Sequence, residues 1–229
     1  MSSILPAALL DTIPDDCLPE PESFAAAQAE APVVSIRINP AKASEVFPHS
    51  SPVPWSHFGR YLSERPSFTA DPPLHAGWYY VQEASSLFLE FALRETVDFS
   101  KTLCLLDLCA APGGKSTLMA SLINPDSLLV SNEVIQSRAA VLAENMSKWG
   151  QLNTWVSQSD PKHFGRLGAF FDVMAVDAPC SGSGLFRKIP TYLDEWSMDQ
   201  VQLCAQRQKR ILHDSYDALA QHGVLVYMT

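Results

Sequence analysis

The chain has 229 residues, of which 47% are apolar and 18% are charged, and its formal net charge is −9. This apolar content excludes a disordered chain, and the length allows one large domain or two small ones. The acidic balance argues against a strongly basic nucleic-acid-binding surface over the whole chain. No run approaches the roughly 18 apolar residues of a membrane span, and no basic residues precede the mild apolar stretch at 4–10. We therefore expect a cytoplasmic protein without a membrane partner.

The cysteines give no sign of a disulfide framework or a zinc site. Their number is odd, their spacing is irregular, and the sequence has no C-x-x-C pair and no histidine at zinc-finger distance. We therefore expect free thiols and no bound metal. The five cysteines are Cys17, Cys104, Cys109, Cys180 and Cys204.

The N-terminal part is predicted to mix short helices and a strand. Helical segments are expected at 6–12 and 22–31, and alternating polar and apolar residues predict a half-buried strand at 33–38. Arg37 points away from the apolar side chains of such a strand. We therefore expect a surface arginine, with a phosphate contact as the alternative.

The proline-rich stretch at 48–73 interleaves aromatic residues with arginines. Its aromatic side chains are predicted to be core anchors, and a base-stacking surface is the alternative. They are Trp55, Phe58, Tyr61 and Phe68. Residues 84–96 then carry apolar side chains at helical spacing, which predicts a helix that packs on the sheet beginning near residue 102. Those side chains are Leu87, Phe88, Phe91 and Ala92.

From residue 102 onward, strand-like and helix-like segments alternate. Such alternation predicts an α/β fold with a parallel sheet, in which ligands bind at the carboxyl ends of the strands. The last predicted helix has Ser197 as a possible N-cap. The predicted strands are 102–108, 128–134, 154–158, 171–176 and 224–229, and the predicted helices are 115–123, 136–149 and 196–222.

The stretch LLDLCAAPGGKST at 105–117 predicts a strand, a loop of small residues and the start of a helix. The small side chains let a ligand approach backbone N–H groups at the helix start. A P-loop would need a glycine where Cys109 stands, and a dinucleotide fingerprint needs glycines that are not adjacent. Asp107 at the loop entrance instead suits a ligand with a cation and hydroxyls, such as S-adenosylmethionine. An ordinary strand-to-helix turn is the alternative.

Acidic residues follow four of the predicted strands. Glu133 lies 19 residues after Gly114, the spacing at which an acid accepts hydrogen bonds from ribose hydroxyls. Because the carboxyl ends of parallel strands meet at one edge of a sheet, we expect a shared site there. Single acids at such positions are more often turn or cap residues. The four acids are Asp107, Glu133, Asp160 and Asp177.

The sequence Asp-Ala-Pro-Cys at 177–180 brings a thiol close to one of these acids. Nearby cations at Lys115, Arg187 or Lys188 would lower the pKa of the Cys180 thiol and make it a nucleophile. A thiolate that adds to carbon 6 of a pyrimidine makes carbon 5 nucleophilic, while Asp177 holds the ring nitrogen. A buried, inert cysteine is the alternative.

These motifs resemble those of the Nop/Sun family of RNA cytosine-C5 methyltransferases. The resemblance rests on DLCAAPGGKST, the acids at 133 and 160, VDAPCSGSG and the Phe-Arg-Lys that follows it. HAGWYYVQEASS, SIRINP and WSHFGRYLSERPSFTADPP are similar to the bacterial ribosomal-RNA branch, and the resemblance covers roughly residues 30–229. It implies a Rossmann-like class I methyltransferase sheet at 75–229 after a small N-terminal α+β domain of RNA-binding type at 1–74. It also implies an RNA partner, ribosomal RNA in this branch.

The resemblance implies roles for individual residues. Glu133 would hold the ribose of S-adenosylmethionine, Asp160 would contact the adenine, and Asp177 would lie between the cofactor and the cytosine. Cys180 would match the family's second cysteine, which is thought to assist release of methylated RNA, rather than the attacking thiol. The cofactor loop would consist of Cys109, Ala110, Ala111, Pro112, Gly113, Gly114 and Lys115.

The sequence departs from the family pattern at its end. The family's attacking cysteine lies in a Thr-Cys pair at the end of the fifth strand, and this sequence stops at Thr229. We therefore expect a fragment without the C-terminal strands that binds the methyl donor and does not methylate. A non-catalytic adenosyl-ligand-binding or RNA scaffold protein that ends here naturally is the alternative. A third hypothesis, a P-loop nucleotide hydrolase, is supported only by the sequence GGKS.

Overall fold

The computed structural model describes residues 5–13, 21–42, 46–189 and 191–229. They divide into two compact units. The first contains the described residues up to Pro32 together with Pro179–Lys209, and the second contains Val33–Ala178, apart from 43–45, together with Arg210–Thr229. No helix within these described ranges is long and apolar enough to cross a membrane.

Helices and strands are numbered in chain order. The helices are α1 (Ala7–Leu10), α2 (Pro21–Ala29), α3 (Pro72–His75), α4 (Phe88–Thr96), α5 (Gly114–Ala120), α6 (Gln136–Trp149), α7 (Pro161–Gly165), α8 (Tyr192–Glu195) and α9 (Met198–Ser215). The strands are β1 (Val34–Ile38), β2 (Ser51–Pro52), β3 (Gly59–Leu62), β4 (Tyr79–Val81), β5 (Cys104–Asp107), β6 (Leu128–Asn132), β7 (Thr154–Ser157), β8 (Phe171–Asp177) and β9 (Leu219–Met228).

Both sheets lie in the second unit. One is antiparallel with strand order β2-β3-β1-β4, and the other is parallel with strand order β7-β6-β5-β8-β9. The parallel sheet contains every strand predicted from residue 102 onward, so the predicted α/β class is confirmed. The antiparallel sheet takes its edge strand β4 from residues beyond 74. The division into domains at 1–74 and 75–229 stays a prediction.

The middle of the parallel sheet is buried on both faces. Successive residues of β5 point to opposite sides of the sheet, and both sides are covered. Leu105 packs in one buried cluster with Leu118 of α5 and Leu142 of α6. Its neighbour Leu106 packs in another cluster, with Ile211 of α9. Burial on both faces explains the continuous apolar run in β5 and leaves the ends of the strands as the place for ligands.

In the first unit, the predicted N-cap of the long helix is confirmed. Ser197 Oγ accepts a hydrogen bond of 3.3 Å from the backbone N–H of Gln200, in the first turn of α9. Arg187 joins the two chain segments of this unit, since its Nε and Nη2 donate to the carbonyl oxygens of Glu30 and Ala31, each at 2.9 Å.

The predicted surface position of Arg37 is wrong. Its side chain is 1% exposed, and its guanidinium carbon lies 4.3 Å from the centre of the Trp149 ring. The alternation of residues in β1 shows only which side chains share a face. It does not reveal that the second face is covered as well.

The last predicted helix is too long. Helix α9 ends at Ser215, and Leu219 begins β9, opposite Phe171 of β8. Pairing with a strand far along the chain therefore overrides the helical pattern of residues 219–222. In contrast, α6 has the predicted bounds, and Gly150 closes it with a left-handed φ of 89°.

The predicted aromatic anchors of the proline-rich stretch are buried or half-buried, and none is exposed. Phe68 is buried, and Trp55 and Tyr61 pack against the large cluster that contains Leu105.

The helix at 84–96 is present as a 3₁₀ turn at Ala84–Leu87 followed by α4, but its predicted apolar face is partly wrong. Phe88 and Phe91 are 52% and 45% exposed. The buried residues of this segment are instead Ala84, Leu87, Leu89, Glu90 and Leu93.

Candidate active site

A loop between β5 and α5 forms the centre of the candidate site. Gly113 has a φ of 112°, which suits only glycine, and a side-chain carbon there would come 3.2 Å from Leu142 Cδ1. The backbone N–H of Ala110 donates to the carbonyl of Asn132 at 2.8 Å. The residues of the predicted cofactor loop therefore form the turn after β5 and, from Gly114, the start of α5. They are Cys109, Ala110, Ala111, Pro112, Gly113, Gly114 and Lys115.

Asn132, at the end of β6, connects three strand ends. Its Nδ2 donates to the carbonyl of Leu108 at 3.1 Å and to that of Ser159 at 2.9 Å, and its Oδ1 accepts from the N–H of Ser159 at 2.9 Å. Leu108 follows β5, and Ser159 follows β7. Asn132 thus fixes the backbone next to Glu133 and Asp160. Sequence reasoning missed it, although a polar residue at the end of an apolar run was a usable signal.

Asp107 is fully buried at the end of β5. Its Oδ2 accepts a hydrogen bond of 2.6 Å from Ser116 Oγ, and its Oδ1 has no hydrogen-bond partner among the described residues. Burial raises the pKa of Asp107 to about 7; the Ser116 hydrogen bond and the charge of Lys115 oppose this shift, while Asp177 and Glu133 add to it. Asp107 therefore lies within electrostatic range of both Asp177 and Glu133.

Glu133 is 3% exposed and is held on two sides. Its Oε1 accepts from the N–H of Ile135 at 3.0 Å, and its Oε2 lies 3.2 Å from Arg138 Nη1. Arg138 also donates from Nη2 to the carbonyl of Ala111 at 2.8 Å, so one guanidinium joins the acid to the loop. Sequence reasoning missed Arg138, because nothing in the sequence of α6 indicates that its one arginine faces the loop.

Asp177 ends β8 and pairs with Lys115 across the sheet edge. Lys115 Nζ lies 2.6 Å from Asp177 Oδ2, with the two side chains 17% and 38% exposed. Both residues line a cavity of about 580 Å³. The wall of this cavity also contains Ser85, Ser86, Phe88, Leu89, Ala92, Val226, Tyr227, Met228 and Thr229.

Asp160 caps the short helix α7. Its Oδ1 accepts from the N–H of Lys162 at 3.1 Å, and Lys162 Nζ lies 4.0 Å from Oδ2. The contact of Asn132 with the preceding residue, Ser159, connects it to the end of β6. Its expected contact with adenine stays a prediction.

The cysteines of the described residues are free thiols, as predicted, and Cys17 lies outside the described residues. Burial raises the pKa of Cys109 to about 12, and the charges of Asp107 and Glu133 add to this shift, so the thiol stays protonated. Cys180, in the first unit, is exposed. Its expected function stays a prediction.

The charges of this site disfavour a phosphate ligand. Lys115, the lysine of GGKS, is engaged with Asp177, and the loop is surrounded by the carboxylates of Asp107 and Glu133. Arg138 is likewise paired with Glu133, so neither of these two cations is free to neutralise a triphosphate. A carboxylate has about four acceptor positions, and Glu133 uses two of them here, so it can still accept hydrogen bonds from hydroxyls. The residues present therefore fit S-adenosylmethionine.

The parallel sheet and its loop define a Rossmann-like methyltransferase fold, and solved structures agree with this class. A methyltransferase homologue from Pyrococcus horikoshii is 30% identical and has a TM-score of 0.73, with 89% of this chain and 66% of that chain covered. The structure of PH0851 has a TM-score of 0.83 at 21% identity, with 96% of this chain and 50% of that chain covered.

The chain belongs to the 16S rRNA methyltransferase RsmB/F family, whose sequence model matches residues 96–229. A second model, the N-terminal domain of 16S rRNA methyltransferase RsmF, matches residues 5–84. The chain is 36% identical to ribosomal RNA small subunit methyltransferase F of Pectobacterium atrosepticum, with 98% of this chain and 49% of the relative covered. It spans about half the length of that curated relative.

Proposed function

We propose that this chain provides the cofactor-binding and base-positioning part of an S-adenosylmethionine-dependent rRNA cytosine-C5 methyltransferase. The observation that carries the proposal is that three of the predicted acids are joined to one loop, at the edge of the sheet where such folds bind ligands. Asp107 is joined to it through Ser116, Asp177 through Lys115, and Glu133 through Arg138, which also donates to Ala111. Membership of the RsmB/F family supports the methyl donor and an rRNA substrate. Such a substrate would place the protein in the cytoplasm.

Glu133 would hold the ribose, because its carboxylate is fixed by Arg138 and retains free acceptor positions. Asp160, at the next strand end, would contact the adenine. The carboxyl oxygens of Asp107 and Asp177 lie beside the loop, and their negative partial charge suits the positive sulfonium. The bound cofactor supplies a methyl group that is activated for transfer to a nucleophilic carbon.

Asp177 is the residue that we assign to the cytosine. Its carboxyl lies at the wall of the 580 Å³ cavity, and Lys115 fixes its orientation. Cytosine carbon 5 becomes nucleophilic when a thiolate adds to carbon 6 and an acid holds the proton at ring nitrogen 3. In the family that the sequence resembles, the attacking thiol follows the threonine at the end of the fifth strand, and Thr229 lines this same cavity. Cys180 would assist release of the methylated RNA.

Calorimetric titration of S-adenosylmethionine and, separately, of ATP into the wild-type chain tests the proposal. We expect one molecule of S-adenosylmethionine to bind per chain and ATP to bind far more weakly, because Lys115, the lysine of GGKS, is already paired with Asp177 and cannot neutralise its phosphates. Preference for ATP would refute the proposal and restore the P-loop hypothesis. Binding of neither ligand would also refute it.

A further inference from the structure

Arg37 is a buried cation in the antiparallel sheet, on the strand that pairs with both β3 and β4. Its side chain is 1% exposed, and burial lowers its pKa to about 9. A buried guanidinium is costly unless its N–H donors find acceptors. The positions of those acceptors therefore indicate which part of the protein this residue organises.

All five N–H donors of Arg37 can be assigned to acceptors. Nε donates to Gln82 Oε1 at 3.0 Å. Nη1 lies 3.3 Å from the carbonyl of Thr117 and 3.4 Å from Ser121 Oγ. Nη2 lies 3.2 Å from the carbonyl of Gly114 and 2.6 Å from Thr117 Oγ1. Four of these five contacts are made with α5 or the residue that follows it.

The part of α5 that Arg37 holds is the part that forms the candidate site. Gly114 is the first residue of the helix, and the next two residues make the polar contacts of the site. Lys115 pairs with Asp177, and Ser116 donates to Asp107, both at 2.6 Å. A shift of the first turn of α5 would move both contacts together.

Strand β4 and the residue after it support the same turn. A side-chain carbon built on Gly114 would come 3.3 Å from both Gln82 Nε2 and Tyr80 Cε1. The antiparallel sheet therefore approaches the backbone at the start of α5 as closely as a glycine allows. Gln82 both orients Arg37 and lies against this backbone.

We propose that Arg37 is a positioning residue for the cofactor loop: it fixes the first turn of α5 from behind, so that Lys115 and Ser116 face the ligand side. The inference rests on the proposed function for the identity of the ligand. None of the five N–H contacts of Arg37 reaches Asp177 or Asp107, so its effect is transmitted through the helix backbone.

A matched control separates positioning from general stability. Asn39 lies just after β1 and is fully buried, and its Nδ2 donates to the carbonyls of Gly77 and Trp149, each at 2.9 Å. Asn39→Ala therefore removes buried hydrogen bonds near the same strand without removing a contact to α5. Arg37→Met removes the contacts to α5, and Arg37→Lys keeps the charge but has fewer donors.

The experiment measures the dissociation constant for S-adenosylmethionine and amide exchange in α5, at a temperature where every variant is folded. We expect Arg37→Met to weaken binding by about tenfold or more and Arg37→Lys by less, while Asn39→Ala stays within about twofold of wild type. Exchange of the α5 amides should accelerate in Arg37→Met and not in Asn39→Ala.

Unchanged binding and unchanged α5 exchange in Arg37→Met would overturn the inference, as would equal effects of Arg37→Met and Asn39→Ala. If Arg37→Met does not fold, Arg37→Lys and Gln82→Met provide the same comparison, because Gln82→Met removes the acceptor of Nε. Failure of the wild type to bind S-adenosylmethionine would instead refute the proposed function. The exchange measurement then still decides whether Arg37 positions α5.

Discussion

Lys115 Nζ lies 2.6 Å from Asp177 Oδ2, which joins the first turn of α5 to the end of β8. This contact explains why a GGKS sequence does not make a phosphate site here. The lysine that would neutralise a phosphate is already paired, and its partner faces the 580 Å³ cavity. The pair orients an acid toward the space in which a base would be accommodated.

Arg138 should stabilise the site by holding Glu133. We expect Arg138→Met to lower the free energy of unfolding by about 1 kcal/mol, because a buried carboxylate loses a charged partner that is itself half exposed. Lys148→Met, which removes the pair of Lys148 with Glu144 on the same helix, is the control and should cost less than about 0.5 kcal/mol. Urea unfolding measures both changes. A smaller loss for Arg138→Met than for the control would contradict this assignment.

Gly113 should tolerate no side chain. Gly113→Ala places a side chain at a φ of 112° and 3.2 Å from Leu142 Cδ1, so we expect a loss of about 1–3 kcal/mol and weaker binding of S-adenosylmethionine. Gly184→Ala is the control, because a side-chain carbon there meets nothing within 4 Å. Thermal unfolding and calorimetry of the two variants make the comparison. Equal behaviour of both would show that the loop is not constrained as described.

Asp107 should make stability depend on pH. Its pKa is raised from 3.8 to about 7 by burial, so between these values the folded state binds a proton that the unfolded state has released. Its contribution to stability therefore falls as the pH rises through this window and levels off above about 7. Lys115, Glu133 and Asp177 also interact with Asp107.

Asp107→Asn isolates this effect, because the surrounding titratable groups are present in both proteins. We expect the free energy of unfolding of the wild type, relative to Asp107→Asn, to fall by about 2 kcal/mol between pH 5 and pH 8. Urea unfolding at intervals of one pH unit measures the difference. Parallel curves for the two proteins would mean that Asp107 has an ordinary pKa.

The local sequence was sufficient for some elements and not for others. Helix α6 was predictable at both ends, because its buried residues recur at helical spacing and Gly150 adopts the left-handed conformation that ends it. The loop and its acids were visible because they fall within short, contiguous motifs. The start of β9 could not be predicted from the local sequence, because Leu219 is a strand residue only through its pairing with Phe171.

The residues that organise the site were harder to predict than those that face the ligand. Arg37, Asn132 and Arg138 each act by joining segments that are distant in sequence, as in the hydrogen bonds from Arg37 to Thr117. The alternating pattern of β1 shows that Arg37 points away from the apolar face of the strand. Only the three-dimensional arrangement shows that a helix and Trp149 cover the opposite face of the strand.

The thiols should differ in reactivity. Cys109 is half-buried, and its pKa is raised to about 12, whereas Cys180 is exposed. At pH 8 we expect iodoacetamide to modify Cys109 about 100-fold more slowly than Cys180, because the thiolate is the reactive form. Mass spectrometry of digested, partly labelled protein measures both rates. Comparable rates would show that the loop exposes Cys109.

The central claim is that the acids at the ends of the parallel strands bind one adenosyl ligand. Calorimetric titration of S-adenosylmethionine into the wild type, Glu133→Ala and Asp160→Ala tests it, with Glu144→Ala as the control on the outer surface of α6. We expect binding to weaken by about tenfold or more in the first two variants and to stay unchanged in the control. Wild-type affinity in both Glu133→Ala and Asp160→Ala would contradict the claim.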